Sequence, residues 1–208
     1  MNTDVLISFA FASAALAIAP GPDNIYVLLQ SITHGKKFGL ATVAGLITGC
    51  LVHTSLVAFG ISAIIRQSDV LFFIIKLFGA AYLLYLAYKV YCGAAEVNLS
   101  VNAIPQKTVK QLFRQGFIMN VLNPKVSIFF LAFFPGFLFS STLSILQQFY
   151  ILGFIFMAVS FLVFALIALL AGSISMYIKQ HQGVGLFLKW LQIIVFTGIA
   201  IFILLSEK

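Results

Sequence analysis

The sequence predicts an all-α polytopic membrane protein whose six transmembrane helices form two inverted three-helix repeats, with helices 1 and 4 broken. Three observations carry that prediction. The 208-residue chain is 62% hydrophobic and only 8% charged, with a mean hydropathy of +1.12, far from the composition of soluble domains. Apolar runs that reach or approach the roughly 20 residues or more needed to cross a bilayer fall at 5–32, 38–64, 70–92, 115–139, 146–176 and 184–205. The first run of each half is interrupted by proline beside polar residues.

The first run lacks the basic leading segment of a secretory signal, having Asp4 and no Lys or Arg before Lys36, and is expected to be a retained helix. Within it stands Pro20-Gly21-Pro22-Asp23. Each proline removes a backbone donor and clashes with the preceding turn, so about one turn should unwind around Gly21. The second run carries Gly45-x-x-x-Gly49 and, at the same helical interval, His53. The glycines predict close packing of a neighbouring helix, within one protomer or across a homodimer. His53 is either a proton relay or a hydrogen-bonded interior residue. In the third run Tyr82, Tyr85, Tyr88 and Tyr91 recur at helical spacing, the last two suiting the interfacial aromatic belt.

After a loop at 93–113, the fourth run contains Asn123-Pro124-Lys125. Asparagine before proline matches an N-cap followed by Pro at the first helical position. A helix restarted there aims its partly positive N-terminal N–H groups into the core. The fifth run fades towards Gly172-Ser173, and the sixth ends near the C-terminus. The 23 phenylalanines are assigned to lipid contact and packing. The whole chain, 1–208, is expected to be one transmembrane domain: repeat 1 at 1–92, the loop, and repeat 2 at 114–208.

Three spans per half is an odd number, so the halves must run in opposite directions across the membrane, and interrupted helices at matching positions then mark a binding site. Asp23 lies eleven residues before His34, and Lys125 eleven after Arg114. At about 1.5 Å per helical residue both are roughly 16 Å deep, the middle of the hydrocarbon. Alternating access is expected from one half moving against the other.

Charge fixes the orientation. Lys36, Lys37, Lys89, Lys107, Lys110, Arg114, Lys179 and Lys189 fall on one side of six spans, against Arg66 and Lys208 on the other. The positive-inside rule makes the first side cytoplasmic and both termini periplasmic. The net charge of +7 therefore reads as topology and lipid head-group contact, with no nucleic acid as partner. Cys50 and Cys92 form no C-x-x-C, which argues against a redox relay or thiolate metal site. One deep Asp and one deep His do not make a proteolytic centre, so no enzyme and no catalytic residues are expected. Without a G-x-x-x-x-G-K-[ST] loop no nucleotide is implied.

Asp and Lys at mid-membrane each cost about 2.5–3.5 kcal/mol on insertion scales, which makes function the default reading for Asp23 and Lys125. Asp23 suits an ammonium or a proton; Lys125 and the helix start at 123–125 suit a carboxylate. Those are the two ends of an amino acid. A structural ion pair between Asp23 and Lys125 is the other reading. Asn24 and Asn120 flank the breaks, to satisfy freed backbone or to touch substrate. A metal-cation transporter of related three-plus-three architecture is the alternative, but such ions want several carboxylates or imidazoles and are opposed by a deep lysine. No metal or cofactor is expected.

PGPDN in the first span, HGKKFGLATVAGLITG after it, KLFGAAYLLYLAYKV in the third and NVLNPKVSIFFLAFFPGF in the fourth resemble the LysE/RhtB family of bacterial amino-acid exporters. The resemblance runs from about residue 10 to the C-terminus. It implies efflux of amino acids or close derivatives across the bacterial inner membrane by proton antiport, with no tightly bound cofactor. Pro20, Gly21, Pro22 and Asp23 carry over from the first motif, and Asn123, Pro124 and Lys125 from the second. Pro135-Gly136-Phe137 departs from relatives that place glutamine after the proline. Asp23 is the only acidic residue deep in a span, since Asp4, Asp69, Glu96 and Glu207 lie at ends or in loops. That favours a neutral substrate of the threonine, homoserine, homoserine lactone or leucine type over a basic one.

Overall fold

The computed structural model describes residues 2–63, 68–93, 106–181 and 183–206. Arg66, Glu96, Glu207 and Lys208 lie outside the described residues, as do the side chain of Lys179 and most of the 93–113 loop. Nine helices are described: α1 Thr3–Ile18, α2 Pro22–His34, α3 Lys36–Leu56, α4 Asp69–Cys92, α5 Val109–Val121, α6 Pro124–Ile128, α7 Ile145–Leu169, α8 Ala171–Gln180 and α9 Gly183–Leu205. A π turn at Val57–Ile61 prolongs α3, and α6 runs on through a π turn at Phe129–Phe133 and a 3-10 turn at Phe134–Phe137. The protein is an all-α, multi-pass membrane protein.

Four helices are long and apolar enough to cross a bilayer singly, namely Lys36–Ile61, α4, α7 and α9. Two bent pairs, α1 with α2 at 62° and α5 with the helix 124–137 at 48°, bring the crossings to six where each pair is one broken span. These are the runs that carry proline. The fifth run is divided, for α7 ends at Leu169 and, after Leu170, α8 starts afresh at Ala171. Gly35 joins α2 to α3 with φ of 100°, a backbone conformation that a side chain would strain.

Local signals set the helix starts. Thr108 with Gln111 and Ser144 with Gln147 form capping boxes at α5 and α7, each satisfying two otherwise orphaned N–H donors. The α6–α7 connection is held by buried Gln148: its Oε1 accepts from Phe139 and Ser140 N–H at 2.8 and 3.0 Å, and its Nε2 donates to Ser140 and Leu143 carbonyls at 2.9 and 3.0 Å.

The tightest interface joins α3 to α5. A Cβ added at Gly45 would stand 2.0 Å from the Phe113 carbonyl oxygen, and one at Gly116 2.3 Å from that of Thr42. At Gly49 it would meet Asn120 at 2.8 Å. Without a hydrophobic drive between helices in lipid, such backbone approach is a main source of association. The glycine face is thus occupied within one chain. Gly45→Ala must push α3 from α5 and is expected to cost about 1–3 kcal/mol, read as a lowered melting temperature in detergent; an unchanged value would contradict this packing.

Helices α4 and α9 cap each other. Lys76 on α4 donates to the Ser206 carbonyl just beyond α9, and Lys189 on α9 donates at 2.8 Å to the Gly93 carbonyl just beyond α4. Cations there complement the negative end of the helix dipole. The extensive pairings α3 with α5, α4 with α9 and α1 with α7 all join the first sequence half to the second. The two sequence halves therefore interlock in this conformation, and a movement of one against the other has to part or slide these interfaces.

Both termini are on one face of the bundle. The Asn2 N–H donates to the Phe139 carbonyl at 3.0 Å, and Ser206 is within van der Waals reach of Gly136. The opposite, basic face carries Lys36, Lys37, Lys107 and Lys110, with Lys189 reaching Gly93. Towards the terminal face the interior is aromatic. Phe9, Phe129, Phe130, Phe133, Phe134 and Phe137 are all buried, with ring centroids 4.5 Å apart for Phe129 and Phe133 and 4.1 Å for Phe130 and Phe134.

Candidate functional site at the two helix breaks

Both breaks are built alike. In the first, α1 ends at Ile18 and α2 starts with Pro22 at its first position after Gly21; in the second, α5 ends at Val121 and α6 starts with Pro124 after Asn123. Asp23 and Lys125 therefore occupy the same helical position in their two helices. Pro22 and Pro124 are themselves exposed. Proline has no N–H to leave unsatisfied in lipid, while the polar side chains beside each proline turn in.

The carbonyls freed where α1 ends are satisfied by side chains. Lys125 Nζ donates to Leu16 O and Ala19 O, both at 3.0 Å, and Asn24 Nδ2 donates to Ala17 O at 2.8 Å. A cation from the second half thus caps a helix of the first, where the dipole favours positive charge. Asn123 joins the two breaks: its Oδ1 accepts the Lys125 N–H at 3.0 Å and its Nδ2 donates to Asp23 Oδ2 at 2.6 Å. Of the two readings of Asp23 and Lys125, the structure shows a bridged arrangement, with Asn123 on the carboxylate and main-chain carbonyls on the ammonium.

His53 serves the second break. Its Nε2 lies 3.1 Å from the Asn120 carbonyl, and since a carbonyl only accepts, this nitrogen carries the proton. The ring packs against Phe130 at 5.4 Å.

Between the breaks is a cavity of about 20 Å³ whose polar lining is Asp23, Asn24, Asn120, Lys125, Cys50 and Ser160, with Leu16, Phe156 and Phe164 among the apolar walls. That volume holds about one water molecule; an amino acid enters only if the walls part. Two atoms of lining residues, Asn120 Oδ1 and Ser160 Oγ, are buried without a hydrogen-bond partner among the described residues. Each such group costs about 1–3 kcal/mol and calls for a reason. Asn120, a sequence candidate, is brought into the site together with Asp23, Asn24, Asn123 and Lys125. Ser160 was missed, although it is the only hydroxyl, amide or charged side chain between Tyr150 and Ser173. Its isolation in an apolar run is the signal that could have found it.

Bent helices that bury an Asp and a Lys beside their breaks are the arrangement found in membrane translocators. The chain belongs to the LysE type translocator family, whose profile matches residues 14–207. It is 33% identical over 179 residues to the homoserine/homoserine lactone efflux protein of Salmonella typhi, covering 86% of each chain. It is 26% identical over 185 residues to the leucine efflux protein of Enterobacter sp. (strain 638), covering 89% of this chain and 88% of that one. No solved structure matches it significantly.

Proposed function

We propose that this protein exports neutral amino acids or close derivatives across the bacterial inner membrane by proton antiport. The observation that carries the reading is the bridged site: a buried carboxylate and an ammonium in the same helical position of two opposed breaks, beside unpartnered polar atoms of Asn120 and Ser160. A substrate ammonium replaces the Asn123 amide on Asp23, with Asn120 Oδ1 as a second acceptor. A substrate carboxylate draws Lys125 away from Leu16 O and Ala19 O, so binding loosens the cap of α1 and frees the α1–α2 angle to change. Protonation of Asp23 from the periplasm releases the ammonium. The names of the similar proteins support the substrate class, and the one ionic group that homoserine, its lactone and leucine share is the ammonium.

The basic face is cytoplasmic in this reading, and both termini are periplasmic. The reciprocal caps Lys76 to Ser206 and Lys189 to Gly93 support two inverted three-span repeats, because each is what the other becomes on exchanging the halves. Membrane lipid is the partner of the exposed apolar surface.

The test is efflux from proteoliposomes loaded with labelled homoserine, threonine, leucine or lysine, with and without a pH gradient. A neutral amino acid is expected to leave faster with the gradient, and lysine is not. Export of lysine alone would overturn the substrate class, and a rate indifferent to the gradient would overturn the antiport.

A further inference from the structure

The face of α2 that carries Asp23 stays polar all the way to the basic end of the bundle. Tyr26, Gln30 and Thr33 follow Asp23 at helical spacing, ending beside His34. Three atoms on this stripe, Tyr26 Oη, Gln30 Nε2 and Thr33 Oγ1, are buried without a hydrogen-bond partner among the described residues. Gln30 is fully buried, and among the described residues its side chain is held by the 3.2 Å contact of Oε1 with His34 Nδ1. Orphaned polar atoms are rare in native interiors, and three in line over about 10 Å of one helix call for a reason beyond packing.

The surroundings give the stripe a direction. Towards the terminal face the site is sealed by stacked phenylalanine rings. Towards the basic face the apolar seal is one small cluster, Val27, Val43, Leu46, Phe164 and Ala168, and the short helix α8 lies against α2. α8 is joined to α7 by a bend at Leu170 and has no apolar span of its own.

We infer that Tyr26, Gln30 and Thr33 line a water-filled passage by which the central site is reached from the cytoplasm, closed in this structure by α2 packing on its neighbours. When the passage opens, water or the polar ends of the passing amino acid satisfy the three groups. When it closes they are left orphaned, which destabilises the closed state and keeps it from locking. The inference rests on the proposed orientation and transport, but it assigns residues that neither requires.

The test is cysteine labelling in a Cys50→Ala, Cys92→Ser background, using a membrane-impermeant methanethiosulfonate applied to either side of oriented vesicles. Tyr26→Cys, Gln30→Cys and Thr33→Cys are expected to react severalfold faster from the cytoplasmic side than Val27→Cys, which sits on the same helix in the aliphatic cluster. Reaction no faster than Val27→Cys, or faster from the periplasmic side, overturns the passage. Labelling needs no substrate, so it stands or falls separately from the identity of the exported amino acid. Gln30→Leu gives a second reading: by removing an orphaned amide it is expected to melt no lower than wild type yet to export severalfold more slowly. Unchanged export by Gln30→Leu overturns the inference.

Discussion

Replacing Lys125 by methionine is expected to abolish export and to destabilise the purified protein by about 3 kcal/mol or more, seen as a melting temperature several degrees lower in detergent. Methionine keeps the apolar stem but removes both hydrogen bonds to the end of α1. A hydrogen bond to a charged group contributes about 1.5–3 kcal/mol, and Leu16 O and Ala19 O each lose one. Asn24 holds only Ala17 O and cannot cover the loss. Asp23, 7% exposed, also loses the cation nearest the break, and an uncompensated buried charge is among the most destabilising changes available. Both effects fall on the junction between the interlocked halves. A Lys125→Met protein that melts with the wild type would show that the α1 carbonyls do not depend on this ammonium.

Asp23→Asn separates fold from function. The asparagine is nearly isosteric, and its Oδ1 accepts from Asn123 as the carboxylate does at 2.6 Å. Stability should therefore change by no more than about 1 kcal/mol, or rise, since a buried charge is removed. Export should fall to the leak rate, and a pH gradient should no longer accelerate it, because the side chain neither binds ammonium as an ion nor carries a proton. The measurement is efflux from proteoliposomes beside the melting temperature of the same preparation. A folded Asp23→Asn protein that still responds to the gradient would move the coupling group elsewhere, with His53 the next to test.

Much of this arrangement was legible in the chain because it rests on residues with strong local meaning. Proline cannot continue a helix, so Pro22 and Pro124 marked both bends, and Asn123 announced its own N-cap. Glycine at helical spacing marked a close-packing face at Gly45 and Gly49, though not that its partner is α5 of the same chain. What was not legible depends on which helices meet. Gly116 and Ser160 gain meaning only against Thr42 and the cavity. Lys76 reads as an intrusion in an apolar run until its partner, a carbonyl 130 residues away, is known. That Asn123 donates to Asp23 while the Lys125 ammonium reaches the end of α1 could not be read either, since spacing places three polar residues at one depth without saying which touch. The interlocking of the halves is likewise a property of tertiary pairing, and hydropathy, which sees one span at a time, carries no trace of it.

The central claim is that the substrate's ammonium is recognised at Asp23. The most direct measurement is inhibition of labelled homoserine efflux by two derivatives, the N-acetyl form, which has no ammonium, and the methyl ester, which keeps it. The ester is expected to compete and the N-acetyl form is not. Equal competition by the N-acetyl derivative would contradict it, and would place the recognised charge on the carboxylate and on Lys125 instead.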